Sequence, residues 1–336
     1  MQRSVAANAG DFAVIIPTYN RAETIEQAIG SVIEQTVPAS EIIVVDDGST
    51  DDTVRRVMAI GSPLIRILVN DRNLGATASR NRGAKVATAE WIAFLDSDDY
   101  WHPQKLETER ALIAGGSDGV SAIASNHVLV IDGQVRNLPT QKERIGDVAR
   151  ALHAENFLGT CSCMTVRRRQ FLAIGGFNEQ LKSCQDWDLW IRAADAGEVL
   201  ISKPAHVFYR LSTRDCISTD GRKRQSGHLH IWRSHIRKSP LLDSDRARLA
   251  LIFADVCHNR GKQRAFRKLC RYALRTEPQR VRQIGVMLLH GATSPDYLTY
   301  RRRVEHSLEF MQRVRQALRA PARGSITSAL SGKARA

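Results

Sequence analysis

The hydrophobic pattern of the first hundred residues alternates between short apolar runs and amphipathic stretches. Residues 12–16, Phe-Ala-Val-Ile-Ile, form an unbroken apolar run closed by Pro17, the signature of a strand buried on both faces. Ile25, Ala28, Ile29, Val32 and Ile33 then recur at helical spacing until Pro38. A second buried strand follows at 41–45, then another helical stretch and an apolar run at 64–69. Gly75 precedes a predicted helix across 76–87, which leads into a strand at 91–95. Pro103 stands where the first turn of a helix accepts it. Further on, Trp187, Trp190, Ile191 and Ala194 repeat at helical spacing, so a helix is predicted from near Asp186 to Gly197.

Alternation of buried strands with helices predicts an α/β fold, an open and mostly parallel sheet covered by helices. In such sheets ligands bind beyond the carboxyl ends of the strands. Three predicted strands end in polar groups: Pro17-Thr18-Tyr19-Asn20, Asp46-Asp47 and Asp96-Ser97-Asp98-Asp99. The topology brings these loops to one edge.

Composition adds little to this picture, but charge adds a boundary. The 336 residues are 43% hydrophobic and 25% charged, ordinary for a folded protein. Residues 1–220 carry 23 Lys and Arg against 28 Asp and Glu, whereas 221–336 carry 26 against 7. We expect a domain over 1–220, a basic helical region over 221–320 and a disordered tail over 321–336. No run reaches the roughly 18 apolar residues of a membrane span, and the first residues lack a signal-peptide layout. The chain reads as cytoplasmic. Six scattered cysteines do not form a disulfide framework, and Cys161-x-Cys163 reads as buried thiols rather than half of a zinc site.

The acidic loops have two readings each. Asp96-x-Asp98 offers hard oxygen ligands to Mg²⁺ or Mn²⁺, with phosphates and water completing the sphere; alternatively Asp96 caps the next turn and its neighbours are solvated. Asp47 either accepts from a base N–H or closes an Asx turn with Gly48 and Ser49. Arg80 has the forked guanidinium that suits a phosphate. Asp186 is either an ordinary helix cap or a base at the mouth of a pocket, and the tryptophans beside it have the spacing of core residues. Neither GxGxxG near the first strand nor GxxxxGK[ST] is present, which disfavours dinucleotide cofactors and P-loop chemistry.

Five segments together resemble glycosyltransferase family 2. They are Val14 to Arg21, Val44 to Thr53, Asn73-Leu74-Gly75 with Ala78 to Gly83, Phe94 to Asp99, and Gly175-Gly176-Phe177 with Asp186 to Trp190. The resemblance covers about 12–210 and implies the GT-A fold, with the remaining chain a C-terminal helical extension. It implies a nucleotide diphosphate sugar donor, with UDP or dTDP favoured, and a glycan or lipid-linked acceptor in surface polysaccharide or lipopolysaccharide assembly. By the same resemblance, Pro17, Thr18, Tyr19, Asp47, Arg80, Asp96 and Ser97 hold the nucleotide. Asp98 and Asp96 hold the divalent metal, Asp186 is the general base of an inverting displacement, and Gly175, Gly176, Phe177 and Trp187 meet the acceptor. Gln185 replaces the Glu often found before that Asp. No histidine matches the extra metal contact of some relatives; His206 and His228 are the nearest guesses. A nucleotidyltransferase, or a nucleotide-sugar-binding protein without catalysis, is the alternative.

The resemblance ends before the basic region. Its helices either pack with solvated basic faces or hold the chain at an anionic membrane surface. Nucleic acid is not an expected partner, because no basic motif with interleaved aromatics is present.

Overall fold

The computed structural model describes residues 11–131, 133–136, 148–211, 221–236, 243–258 and 262–278. Two compact units divide the chain, Met1–Pro240 and Leu241–Ala336. The expected tail at 321–336, and the part of the expected basic helical region beyond residue 278, lie outside the described residues.

In the first unit the strands are β1 (Phe12–Thr18), β2 (Glu41–Asp46), β3 (Ile65–Val69), β4 (Trp91–Phe94), β5 (Tyr100–Trp101), β6 (Val120–Ile131), β7 (Gln134–Arg136), β8 (Met164–Arg167) and β9 (Glu198–Leu211). The helices are α1 (Ile25–Ile33), α2 (Thr53–Ala59), α3 (Ala76–Val86), α4 (Lys105–Gly115), α5 (Val148–Ala154), α6 (Arg168–Ala173), α7 (Gln185–Ala196) and α8 (Gly221–Ser234). Among the described residues all the strands join one sheet, ordered β3-β2-β1-β4-β8-β6-β9-β5, with β7 paired to β6.

The run β3-β2-β1-β4 is parallel, as expected from strands apolar on both faces. Phe12 to Ile16 and Ile42 to Val45 are fully buried. On α3, Gly83 permits close approach: a Cβ there would lie 2.6 Å from Ile15 Cγ2. The chain runs outward from β1 to β3, then returns to place β4 on the other side of β1. That reversal opens a crevice at the strand ends, where Thr18, Asp47 and Asp96 emerge.

Beyond β4 the expected parallel sheet becomes mixed. β8 runs antiparallel to both β4 and β6, β9 is parallel to β6, and β5 is antiparallel to β9. A buried polar network ties this half to α4. Lys105 Nζ donates to Glu109 Oε1 at 2.7 Å, while Ser125 and Thr165 donate to the same carboxylate at 2.7 and 2.9 Å. Every oxygen of that interior carboxylate is therefore satisfied, which is the condition for burying it. Pro103 falls just outside α4, whose N-cap is Gln104.

Helix 221–234, which charge alone grouped with the basic region, belongs to the first unit. In the second unit α9 (Asp243–His258) and α10 (Gln263–Thr276) pack on each other. Phe253, Ala254 and Cys257 of the former are buried, as are Phe266, Cys270 and Ala273 of the latter. The exposed face of α10 carries Arg264, Arg267, Lys268, Arg271 and Arg275.

Candidate active site

The loops after β1 and β2 are stitched together by main-chain donors. The Asn20 N–H reaches Ser49 Oγ at 2.9 Å, that of Arg21 reaches Thr53 Oγ1 at 2.8 Å, and that of Ala22 reaches Asp51 Oδ2 at 3.1 Å. Asn20 takes a left-handed backbone (φ 50°) and accepts the Thr50 N–H on its own side chain at 2.8 Å. The Ser49 N–H goes to Asp46, three residues earlier, at 2.9 Å. Asp47 is instead enclosed. Its carboxylate accepts from Asn70 Nδ2 at 2.7 Å, from the Leu74 N–H at 2.9 Å and from the Gly75 N–H at 2.7 Å. It thereby fixes the turn that starts α3, and a base N–H would have to join or replace these donors. Around it three buried polar atoms have no partner among the described residues: Thr18 Oγ1, Asp46 Oδ1 and Arg80 Nε. Unpaired buried polar atoms cost about 1–3 kcal/mol each, so each of these three is open to a polar ligand. Pro17 is buried beside them, and Tyr19 stands exposed at the rim.

The loop after β4 gathers negative charge. Asp96 pairs with the buried Arg80 guanidinium and donates its own N–H to Ser162 Oγ at 3.0 Å. Asp98 lies 3.7 Å from Arg21 Nε, with 37% of its side chain exposed. Asp99 turns inward, accepting from Ser162 Oγ at 2.5 Å and from the Arg210 N–H at 2.9 Å. Burial, reinforced by the charge of Asp96, raises the Asp98 carboxyl above the ordinary 3.8. Asp99 is pushed well above it by burial and by both neighbouring aspartates. This loop is short of positive charge. Asp96 and Asp98 are therefore suited to a divalent cation with hard oxygen preferences, while Asp99 is already committed to holding the loop. Ser97 is buried between them.

Asp186 reaches the same region from α7. The helix N-cap is Cys184, in a left-handed conformation (φ 59°), so Asp186 lies in the first turn. Its carboxylate accepts the Trp187 N–H at 2.8 Å and Asn156 Nδ2 at 2.9 Å. Burial raises this carboxyl, against the opposing pull of those two donors and of the Arg80 charge. Arg80 in turn feels both Asp96 and Asp186; burial disfavours its charge, and the surrounding carboxylates raise it nonetheless. One guanidinium thus links the loop after β4 to the start of α7, residues some ninety apart in sequence. The neighbouring Cys161 and Cys163 are buried thiols, Cys163 pushed up to about 12 by burial.

Gly175 and Gly176 both have positive φ, and a Cβ on Gly176 would lie 2.6 Å from Asn81 Oδ1. Asn81, next to Arg80, clasps this turn: it accepts the Phe177 N–H at 2.9 Å and donates to the Phe177 carbonyl at 2.9 Å. Gly175, Gly176 and Phe177 line a cavity of about 740 Å³ together with Asp188, Arg192, His230 and His235. The Phe177 ring itself packs against Phe94 at 5.0 Å and Phe171 at 5.8 Å. Trp187 is buried, its indole N–H donated to the Leu152 carbonyl at 2.6 Å. Phe177 thus packs on its neighbours while lining the cavity with the two glycines, and Trp187 is packed in the interior, as its helical spacing reads. His206 stacks on His102 and His228 lies against Cys184. His153 lies 3.4 Å from Asp195 Oδ1, and two further histidines, His230 and His235, converge on Asp188; sequence spacing singled out none of them. Arg21, Asn81, Asn156 and Ser162 were also missed, since each acts through contacts across more than 25 residues.

Residues 13–173 match the family described as glycosyl transferase family 2. The chain is 34% identical, over 37% of its own length and 48% of the relative's, to the UDP-Glc:α-D-GlcNAc-diphosphoundecaprenol β-1,3-glucosyltransferase WfgD of Escherichia coli. It is 30% identical, over 60% of its length and 70% of the relative's, to the amylovoran biosynthesis glycosyltransferase AmsB of Erwinia amylovora. The chain thus spans about half the length of the first of these relatives. Its fold is similar to that of Staphylococcus aureus TarS residues 1–349 in complex with UDP-GlcNAc, with a TM-score of 0.61 at 20% identity, covering 92% of this chain and 91% of that one.

Proposed function

The chain belongs to glycosyl transferase family 2, and from that membership we propose that it moves a sugar from a nucleotide diphosphate donor to an acceptor hydroxyl with inversion. Its sheet and covering helices are those of the GT-A fold. The observation that carries the proposal is the ion pair of the buried Arg80 with Asp96, in which the guanidinium also feels the charge of Asp186. A donor diphosphate at the Asp96 loop and an acceptor oxygen at Asp186 would then meet across a single cationic side chain.

The roles follow from the chemistry of each group. Thr18, Asp47, Asp96 and Ser97 bind the nucleoside, with Pro17 and Tyr19 as its wall, and Arg80 holds phosphate oxygens. Asp96 and Asp98 would hold Mg²⁺ or Mn²⁺, which when bound neutralises charge on the leaving diphosphate. Asp186, with its carboxyl raised toward the working range of a base, takes the proton of the acceptor hydroxyl. The acceptor oxygen forms its bond to the anomeric carbon as the bond to the diphosphate breaks on the opposite face. Gly175 and Gly176 shape the acceptor side.

The names of the relatives support a narrower reading. WfgD uses UDP-Glc and a diphosphoundecaprenol-linked acceptor, and the TarS complex holds UDP-GlcNAc. We take a UDP-sugar and a lipid-linked or polysaccharide acceptor as the first substrates to assay. The test is release of nucleoside diphosphate from a panel of nucleotide sugars with Mn²⁺, in wild type and Asp186→Asn. Acceptor-dependent release that the substitution leaves intact would remove Asp186 from the role; no release with any donor would remove the activity. No helix among the described residues is long and apolar enough to cross a membrane. An anionic lipid surface as partner rests on the basic face of α10, and failure to float with anionic vesicles at low salt would end that part.

A further inference from the structure

On the far side of α7 from the base, two imidazoles converge on one carboxylate oxygen. His230 Nε2 lies 3.1 Å from Asp188 Oδ1, and His235 Nε2 lies 2.8 Å from the same atom. The three ligand atoms all fall within 4.8 Å of one another. The other oxygen, Oδ2, is occupied by Arg192, with Nε at 2.9 Å and Nη2 at 2.6 Å. Arg192 therefore turns Oδ1 toward the histidines and holds it there.

We propose that Asp188, His230 and His235 form a metal site of the Zn²⁺ class, separate from the aspartate loop after β4. Zn²⁺ binds imidazole nitrogen and carboxylate oxygen at about 2.0–2.2 Å in tetrahedral geometry, which sets neighbouring ligand atoms about 3.4 Å apart. The two separations from Asp188 Oδ1, 3.1 and 2.8 Å, need to open by only a few tenths of an ångström to reach that edge length, and the two imidazole nitrogens lie within 4.8 Å of each other. The three residues line the cavity of about 740 Å³ with Gly175 and Gly176, so water has access to a fourth position. Arg192 supplies the outer hydrogen bonds that ligating carboxylates ordinarily receive. The donor set also sets the selectivity: two imidazoles and one carboxylate suit Zn²⁺, Co²⁺ or Ni²⁺, whereas Mg²⁺ and Mn²⁺ prefer an all-oxygen shell. A bound ion would join α7 to α8, the helix carrying His230, and so brace the helix whose first turn holds Asp186. The inference does not depend on the glycosyl-transfer reading.

The site escaped the sequence because His230 and His235 are five residues apart. On a regular helix that spacing separates side chains by about 140°. Here α8 ends at Ser234, and the turn after it carries His235 back to the same carboxylate.

The test uses the untagged full chain, stripped with chelator and dialysed against Zn²⁺ in excess Mg²⁺, with bound metal measured by mass spectrometry. Wild type is expected to retain one zinc more than His230→Asn/His235→Asn, and Arg192→Gln to bind about 10–100-fold more weakly than wild type. Co²⁺-loaded wild type should show the intense visible bands of a tetrahedral site, a readout that needs no variant to fold. Equal zinc in wild type and a double variant with native circular dichroism overturns the proposal. Visible bands absent from Co²⁺-treated wild type, or zinc displaced by Mg²⁺, overturn it as well.

Discussion

The first unit contains two acidic centres that differ in how their charge is compensated. In the loop after β4, Asp96 pairs with Arg80 and Asp98 with Arg21 at 3.7 Å, yet burial and mutual repulsion hold the Asp98 and Asp99 carboxyls above 3.8. At Asp188 the balance is reversed. Burial would raise this carboxyl, but His235 and Arg192 outweigh it and hold it at about 2. Both centres contain aspartates at least partly withdrawn from water, so burial alone does not fix the direction. The charge facing each carboxylate does: neighbouring aspartates at Asp98 and Asp99, His235 and Arg192 at Asp188. A centre starved of positive charge is prepared for a cation that arrives with an anionic ligand; one rich in donors holds its shape without any ligand.

The largest effect expected is on the starved side. Asp186→Asn keeps the size of the side chain but removes the proton acceptor, and turnover should fall about 10²- to 10⁴-fold, measured as acceptor-dependent nucleotide release. Next, Asp188→Ala strands Arg192 beside a buried void and should lower unfolding free energy by about 3 kcal/mol, read from urea denaturation. The contrast itself can be tested by pH, in protein stripped of metal with EDTA. Asp188, depressed when folded, adds stability that is complete above its unfolded value near 3.8 and is lost as pH falls to about 2. Asp98, raised when folded, acts with the opposite sign: its charge weakens the fold at pH 7, and the deficit disappears as pH falls through its folded value. Asp98→Asn should therefore stabilise the stripped protein at pH 7 by about 0.5 kcal/mol, a small value because the group is partly screened by solvent. The gain should vanish in acid; a gain independent of pH would contradict the assignment. Gly176→Ala tests the turn held between the two centres. Its positive φ and the close Asn81 oxygen should together cost about 1–3 kcal/mol, with a smaller loss in Asn81→Ala.

How much of this was legible in the sequence depends on the range over which each residue acts. Strands β2, β1 and β4 were readable because strands covered on both faces leave unbroken apolar runs, as Phe12 to Ile16 do. Asp96, Asp98 and Asp186 could be singled out because they follow a strand or start a helix; Arg80 pairs with the first of them and also feels the charge of Asp186. Asp99 looks like its neighbours in sequence, and only Ser162 and Arg210 show that it points inward. Asp47 stood in the predicted loop, yet its partners Leu74 and Gly75 are set by a turn that no local pattern encodes. Trp187 was assigned to the acceptor on resemblance, while helical periodicity, which placed it in the core, described it correctly. Strand β5 has only two residues and gives no periodic signal.

Strand β9 has a consequence for how this protein can be made and cut. It fills the sheet between β6 and β5, its Phe208 and Val207 opposite Tyr100 and Trp101, although it is synthesised about a hundred residues after β5. A fragment ending at residue 173, where the family pattern stops, would leave β5 and β6 with bare edges able to pair with other chains. Such a fragment should aggregate, and during translation the nascent chain must wait for residues near 211 before its sheet can close.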